Sequence, residues 1–223
     1  ACSERRGGTL MARRIVVIDY GMGNLRSVSK AVEHVAGDAE VLVTDDPASI
    51  RAAERVVFPG QGAARDCVRA IGEHHLNQAI RDAAATKPFL GICMGMQVLL
   101  EHSEENGGTD LLGLYAGEVR RFSGTARGPD GILLKIPQMG WNRVNPTGEH
   151  ALWAGIDPGS RFYFVHSYYA DPVDRSLVAA TTNYGLDYAS ALARANVFAV
   201  QFHPEKSAQA GLRLLENFCQ WEP

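Results

Sequence analysis

Two stretches of the chain carry residue types that could act on a substrate together. Gly91-Ile92-Cys93-Met94-Gly95 follows an apolar run and precedes a helical pattern. G-x-S-x-G at a nucleophile elbow has the same setting, with serine where this chain has cysteine. A tight strand-to-helix turn strains its central residue, and glycines two positions either side let backbone close on the turn. The thiol then stands above the strand ends at a helix N-terminus, where dipole and free N–H groups favour a thiolate and an oxyanion. Taken alone, the segment reads equally well as a buried core cysteine. The second stretch is Val200-Gln201-Phe202-His203-Pro204-Glu205. His203 falls where an apolar strand ends, the usual place for ligands in open α/β sheets. Glu205 can turn back on the imidazole, fix its tautomer and stabilise the imidazolium. By itself His-Pro-Glu reads as a strand end before a proline turn. Both in one chain give a nucleophile, a base and an acid: Cys93, His203 and Glu205.

Those groups meet only if the strands before them lie side by side. Ile15–Ile18, Val41–Val43, Val56–Phe58 and Phe89–Ile92 are short apolar runs suited to strands buried on both faces. Helical patterns separate them: Leu25–Val35, a short helix after Asp46-Pro47, Ala64–Ala85 with a break near Gly72, and Gly95–His102. Such alternation implies right-handed crossovers and an open, mostly parallel sheet with helices on both faces. The second half changes character. Tyr115–Phe122, Gly140–Val144, Arg161–Ser167, Leu177–Thr182 and Val197–Phe202 read as strands that add antiparallel pairs. Ser207–Cys219 closes the chain as a helix, with Leu212, Leu215 and Phe218 on one face.

Composition narrows the function classes. With 223 residues, one shared core is expected over 14–223, with 1–13 as an N-terminal extension and Met11 as the natural start. A net charge of −3 gives no electrostatic grip on nucleic acid or anionic lipid. Pro88–Leu100, the longest uncharged apolar stretch, is well short of the roughly 18 residues needed to span a bilayer. No secretory pattern precedes Met11, and the scattered Cys2, Cys67, Cys93 and Cys219 suit a reducing cytoplasm better than zinc or a disulfide framework. Gly21-Met22-Gly23-Asn24 fails as a dinucleotide fingerprint because Arg26 stands at the third glycine position. Glu101, Glu104 and Glu105 read as a solvated helix end, and His74-His75 as surface with no metal partners.

The combined motifs resemble the triad (class I) glutamine amidotransferases, and among them the glutaminase subunits of imidazole glycerol phosphate synthases. The narrower resemblance rests on Asp19–Asn24, Pro59–Ala63, Met139–Asn142, Phe164–Tyr168 and Gln201–Ser207, and extends over about Arg14–Trp221. It implies a flavodoxin-like glutaminase domain in which Cys93 attacks the glutamine amide, His203 is general base then acid, and Glu205 orients it. It further implies oxyanion donors at Gly62 and Met94, and substrate contacts at Gln97, Ser167 and Tyr168. Gly23, Asn24, Trp141, Tyr163 and Lys206 would face a (β/α)8-barrel cyclase partner in a heterodimer. No metal and no cofactor are implied. Gln61, Ala64 and Met94 depart from the family's usual valine, aromatic and leucine, and the departures at Gln61 and Ala64 bear on how readily the oxyanion loop takes its active form. Competing readings are a glutaminase for an anthranilate- or pyridoxal-phosphate-type synthase, a cysteine hydrolase on a related scaffold, and a regulatory module without catalysis.

Overall fold

The structure, a computed structural model, describes residues 13–128 and 130–223; the expected N-terminal extension and Met11 fall almost entirely outside them. In its first half the chain runs β1 (Arg14–Ile18), α1 (Leu25–Val35), β2 (Glu40–Thr44), α2 (Pro47–Ala52), β3 (Arg55–Gly60), α3 (Ala64–Glu73), α4 (Asn77–Thr86), β4 (Phe89–Cys93) and α5 (Met94–Gln97). There follow β5 (His102–Ser103), β6 (Thr109–Asp110), β7 (Gly117–Arg121), β8 (Gln138–Arg143), β9 (Asn145–Pro146) and β10 (Arg161–His166). The last elements are β11 (Tyr168–Pro172), β12 (Val178–Asn183), β13 (Asp187–Arg194), β14 (Val197–Val200) and α6 (Ala208–Gln220).

The unbroken apolar run of β1 is explained by two cores. Ile15 and Val17 pack with Val28 and Val32 of α1 and with Leu214, Leu215 and Phe218 of α6. Val16 and Ile18 face the opposite way, toward Ile50, Ile71 and Ile80 of α2, α3 and α4. A strand covered on both sides needs apolar residues at every position rather than at alternate ones. Each such side chain removed from water contributes about 1.5–3 kcal/mol. Leu214, rather than the half-buried Leu212, joins Leu215 and Phe218 in the core, so the expected face of α6 is off by part of a turn.

The parallel part of the sheet has the order β2-β1-β3-β4-β14, and β13, β11, β7, β5 and β6 extend it beyond β14. Pairing of β14 with β13, β13 with β11 and β11 with β7 is antiparallel. A separate antiparallel pair, β8 with β10, lies outside the main sheet. This is the expected open α/β architecture with added antiparallel strands. Two register facts matter for chemistry. Gly60 at the end of β3 pairs with Cys93 at the end of β4, and Val200 at the end of β14 pairs with Ile92. Three chain segments therefore leave the sheet side by side at one rim.

One helix is shorter than expected. The pattern from Gly95 to His102 forms helix only over Met94–Gln97. The carbonyls of Val98, Leu99 and Leu100 are taken instead by the N–H groups of Leu112, Leu114 and Gly113 at 2.7–2.9 Å, so the helix ladder stops. The acidic run beyond it is not a solvated helix end either. Glu101 accepts from Gly117 N at 3.1 Å, Glu104 from Arg121 N at 2.9 Å and Glu105 from Ala64 N at 2.6 Å. Each carboxylate satisfies a backbone donor of a neighbouring element, and Glu105 does so at the start of α3, just after Gln61–Ala63.

Candidate active site

Cys93 adopts φ 55° and ψ −108°, a left-handed conformation that costs an L-residue on the order of 1–3 kcal/mol and persists only where packing enforces it. The enforcement comes from flanking glycines. A Cβ on Gly95 would lie 1.9 Å from the Phe58 carbonyl oxygen, and one on Gly91 would lie 2.7 Å from that of Gly95. Neither position tolerates a side chain, so β3, β4 and α5 close tightly and lift the thiol to the rim. The four-residue length of α5 leaves little macrodipole for the sulfur. Local N–H groups and charged side chains must supply the stabilisation.

His203 follows β14 and is buried, as is the Glu205 side chain. Its Nδ1 lies 2.9 Å from Glu205 Oε1, so it is the protonated nitrogen and donates. Nε2 makes no hydrogen bond among the described residues, and the Cys93 sulfur is its close neighbour. Such contacts tighten only when substrate binds. Burial pulls the imidazole pKa down, but the interactions with the Cys93 sulfur and the Glu205 carboxylate together outweigh it and raise the value to about 10. A cationic imidazole is thus favoured beside sulfur. The backbone of His203 is fixed as well. Its N–H donates to Tyr163 O at 2.9 Å, and Ser207 Oγ, bound by Tyr163 N, donates to His203 O at 2.6 Å. Gly211 completes the support: a Cβ there would meet Pro204 O at 1.9 Å, so only glycine lets α6 pack on the turn carrying Glu205.

The Pro59–Gly62 loop reaches the same rim. Tyr20 OH donates to Pro59 O at 2.9 Å and the Cys67 thiol to Gln61 O at 3.3 Å, so the peptide whose other edge is Gly62 N–H is fixed from below. Gly62, with φ +93°, lies two residues beyond Gly60, the partner of Cys93 in the sheet, and Met94 follows Cys93 directly at the start of α5. Gln97 is buried; its Nε2 donates to Tyr168 O at 3.0 Å and to Gln201 Oε1 at 2.8 Å. With both amide hydrogens used, only the Gln97 carbonyl oxygen is left without a hydrogen bond among the described residues. Ser167 and Tyr168 are half-buried, and Tyr168 O also accepts from His166 Nδ1 at 2.7 Å. Sequence reasoning missed Gln201, whose Nε2 lies 3.7 Å from Cys93 Sγ; its place two residues before His203 was the available signal.

The residues expected to face a partner comprise a cluster around Tyr163 and the loop before α1. Trp141 is half exposed, packs edge-on to Tyr163 at 6.1 Å, and Lys206 Nζ sits 6.0 Å from the same ring. Gly23 and Asn24 lie in the loop before α1, where Asn24 caps the helix through Ser27 N. That loop touches the oxyanion loop: a Cβ on Gly23 would lie 3.6 Å from Gly60 Cα, and Met22 lies against Gly62. Among the described residues no group of three or more metal-ligating side chains occurs, and no helix is long and apolar enough to cross a membrane.

A sequence model described as Glutamine amidotransferase class-I matches residues 16–221. The chain is also 60% identical over 210 residues to the imidazole glycerol phosphate synthase subunit HisH of Methylococcus capsulatus, covering 94% of this chain and 97% of that one. This chain belongs to the class I glutamine amidotransferases, among their HisH subunits. The HisH subunit of Dechloromonas aromatica is 57% identical over 216 residues, covering 96% of this chain and 100% of the other. Among solved structures, PurLQS from Thermotoga maritima superimposes with a TM-score of 0.69 at 18% identity, covering 94% of this chain and 99% of that one. A glutamine amidotransferase, also from Thermotoga maritima, gives 0.58 at 16% identity, covering 92% of this chain and 82% of that one. These more distant likenesses share the amidotransferase fold, and the HisH relatives carry the narrower assignment.

Proposed function

We propose that this chain is the glutaminase subunit of imidazole glycerol phosphate synthase. It hydrolyses glutamine to glutamate and ammonia and passes the ammonia to a (β/α)8-barrel cyclase. That partner makes imidazole glycerol phosphate and aminoimidazole carboxamide ribotide in histidine biosynthesis, in the cytoplasm. The observation that carries the catalytic part is a strained elbow cysteine facing an imidazole whose other nitrogen is held 2.9 Å from a buried carboxylate.

The Cys93 thiolate attacks the side-chain carbonyl carbon of glutamine, and the negative oxygen is received by the N–H groups of Gly62 and Met94. His203 Nε2 gives its proton to the nitrogen as the C–N bond breaks, releasing ammonia and leaving a γ-glutamyl thioester. His203 then takes a proton from water while the water oxygen attacks the thioester; the C–S bond breaks and glutamate leaves. Glu205 keeps the proton on Nδ1 throughout. Gln97, Ser167 and Tyr168 hold the substrate.

Ammonia released into water at neutral pH becomes ammonium, which is no nucleophile, so a docked synthase and a sheltered path are needed. Cys93 is only 6% exposed and His203 2%, so docking must open as well as complete the site. The Gly23–Asn24 loop is suited to transmit it, because Met22 rests on Gly62. A coupled glutamate-release assay, with and without the cyclase and its ligand, tests the reading. Turnover should rise when the liganded cyclase binds; equal rates would refute the coupling. Lys206, with Trp141 and Tyr163, is proposed to anchor the cyclase. Lys206→Glu should raise the dissociation constant roughly tenfold, the scale of a desolvated interfacial charge, and an unaltered constant would remove Lys206 from the interface.

A further inference from the structure

We infer that Gln201 is a catalytic residue: its side-chain amide donates a hydrogen bond to the Cys93 thiolate, in an orientation enforced by Gln97 and the Tyr168 carbonyl. The inference deepens the glutaminase reading and rests on it. The orientation follows from a chain of donors and acceptors that begins at an unambiguous atom. A backbone carbonyl only accepts, so the Gln97 atom 3.0 Å from Tyr168 O is its nitrogen. That nitrogen's second hydrogen needs an acceptor, so the Gln201 atom 2.8 Å from it is the oxygen. The Gln201 nitrogen is then left facing Cys93 Sγ at 3.7 Å, within reach of an N–H···S contact. Turning Gln201 over would set its nitrogen against that of Gln97, donor against donor, and turning Gln97 over would set its oxygen against Tyr168 O and Gln201 Oε1, acceptor against acceptor. The start of the chain is secured twice, because Tyr168 O also accepts from His166 Nδ1. Burial pushes His166 down to about 4, so it stays neutral and keeps one proton for that carbonyl.

The surroundings make the donor count. Gln201 is fully buried and Cys93 nearly so, and a hydrogen bond to a charged group gains strength where water does not compete. His203, Tyr20 and Cys67 are titratable groups that lie close to Cys93. Burial holds Tyr20 far above its usual range and lifts Cys67 to about 12, so both remain neutral. His203, backed by Glu205, is then the cation beside the sulfur, and Gln201 is a neutral donor from a second direction. When the thiol proton passes to His203 Nε2, Gln201 keeps both of its own hydrogens and shortens its contact to the new anion.

The test is alkylation of Cys93 by iodoacetamide as a function of pH, on the full chain bound to the cyclase. Mass analysis of the peptide bearing Cys93 separates it from Cys2, Cys67 and Cys219. Replacing Gln201 by Met removes the donor, and the pH of half-maximal alkylation should rise by about one unit, the worth of a hydrogen bond to a charged group. Gln201→Glu keeps the shape and still accepts from Gln97, but presents an anionic oxygen to sulfur; its midpoint should rise further. Glutamine kcat should fall in both, with KM little changed. A folded variant with the wild-type pH profile overturns the inference, and the Glu variant decides should the Met variant not fold. If neither folds, Gln97→Met, which unfixes the Gln201 amide, must shift the midpoint the same way or the inference fails. Unmodified protein that releases no glutamate with the cyclase would instead overturn the glutaminase reading, whatever the alkylation profiles.

Discussion

With Cys93 replaced by alanine, the complex of this chain and its cyclase should make no product from glutamine yet continue to make it from added ammonium salts. The expected loss of glutamine-dependent rate is large, on the order of 10⁴–10⁶-fold, because removing a nucleophile from a unit that acts together forfeits most of its effect. Ammonia-dependent synthesis should survive, since it uses none of Cys93, His203 or Glu205. Alanine is the right replacement because it keeps a Cβ at a position held at φ 55° by Gly91 and Gly95, so the elbow has no reason to relax. Parallel assays with glutamine and with ammonium chloride on one purified complex give the answer. Loss of both activities in a folded complex would mean that the division of labour between the subunits is wrong. Retention of the glutamine-dependent rate would remove Cys93 from the chemistry.

The elbow was legible because its signals are local. Apolar Phe89–Ile92 and glycines at 91 and 95 lie within seven residues, and the structure turns both glycines into steric necessities. The parallel order was legible for a similar reason: β1, β3, β4 and β14 are continuous apolar runs because both faces are covered. Strands β11 and β13 gave no comparable signal. Asp187–Arg194 is rich in alanine, and its partners, β14, β12 and β11, are chosen by tertiary pairing. The early end of α5 was hidden because periodicity does not decide it: the carbonyls of Val98, Leu99 and Leu100 are claimed by a segment more than ten residues later. The acidic run failed on the same ground, since Glu105 finds Ala64 N 41 positions away. Gln201 lay inside the strand-end motif of His203, yet its role depends on Gln97, 104 positions earlier, which fixes the amide. What the sequence hides here is the choice of long-range polar partner, which neither periodicity nor residue type specifies.

Glu205→Gln should leave the fold intact and lower kcat/KM for glutamine by roughly 10²–10⁴-fold, the range for groups serving general acid–base catalysis. The carboxylate acts on His203 in two ways, by accepting from Nδ1 at 2.9 Å and by its charge. Its Oε2 has no hydrogen-bond partner among the described residues, so little besides His203 draws on that charge. A neutral amide retains an acceptor but removes the charge, while burial continues to press the imidazole toward its neutral form. The folded pKa of His203, raised to about 10, should therefore fall, and the alkaline limb of glutaminase activity should move to lower pH. The stability sign follows from the same linkage. A histidine whose pKa is raised on folding contributes stability fully below its unfolded value near 6.5 and loses it as pH rises through the folded value. The substitution should thus lower the melting temperature at pH 6 and change it little above pH 10. Rate profiles and thermal melts across that window separate a positioning role from a merely structural one. Unchanged kinetics at every pH would take Glu205 out of the triad, whereas an equal loss of melting temperature at all pH values would reduce it to a packing residue.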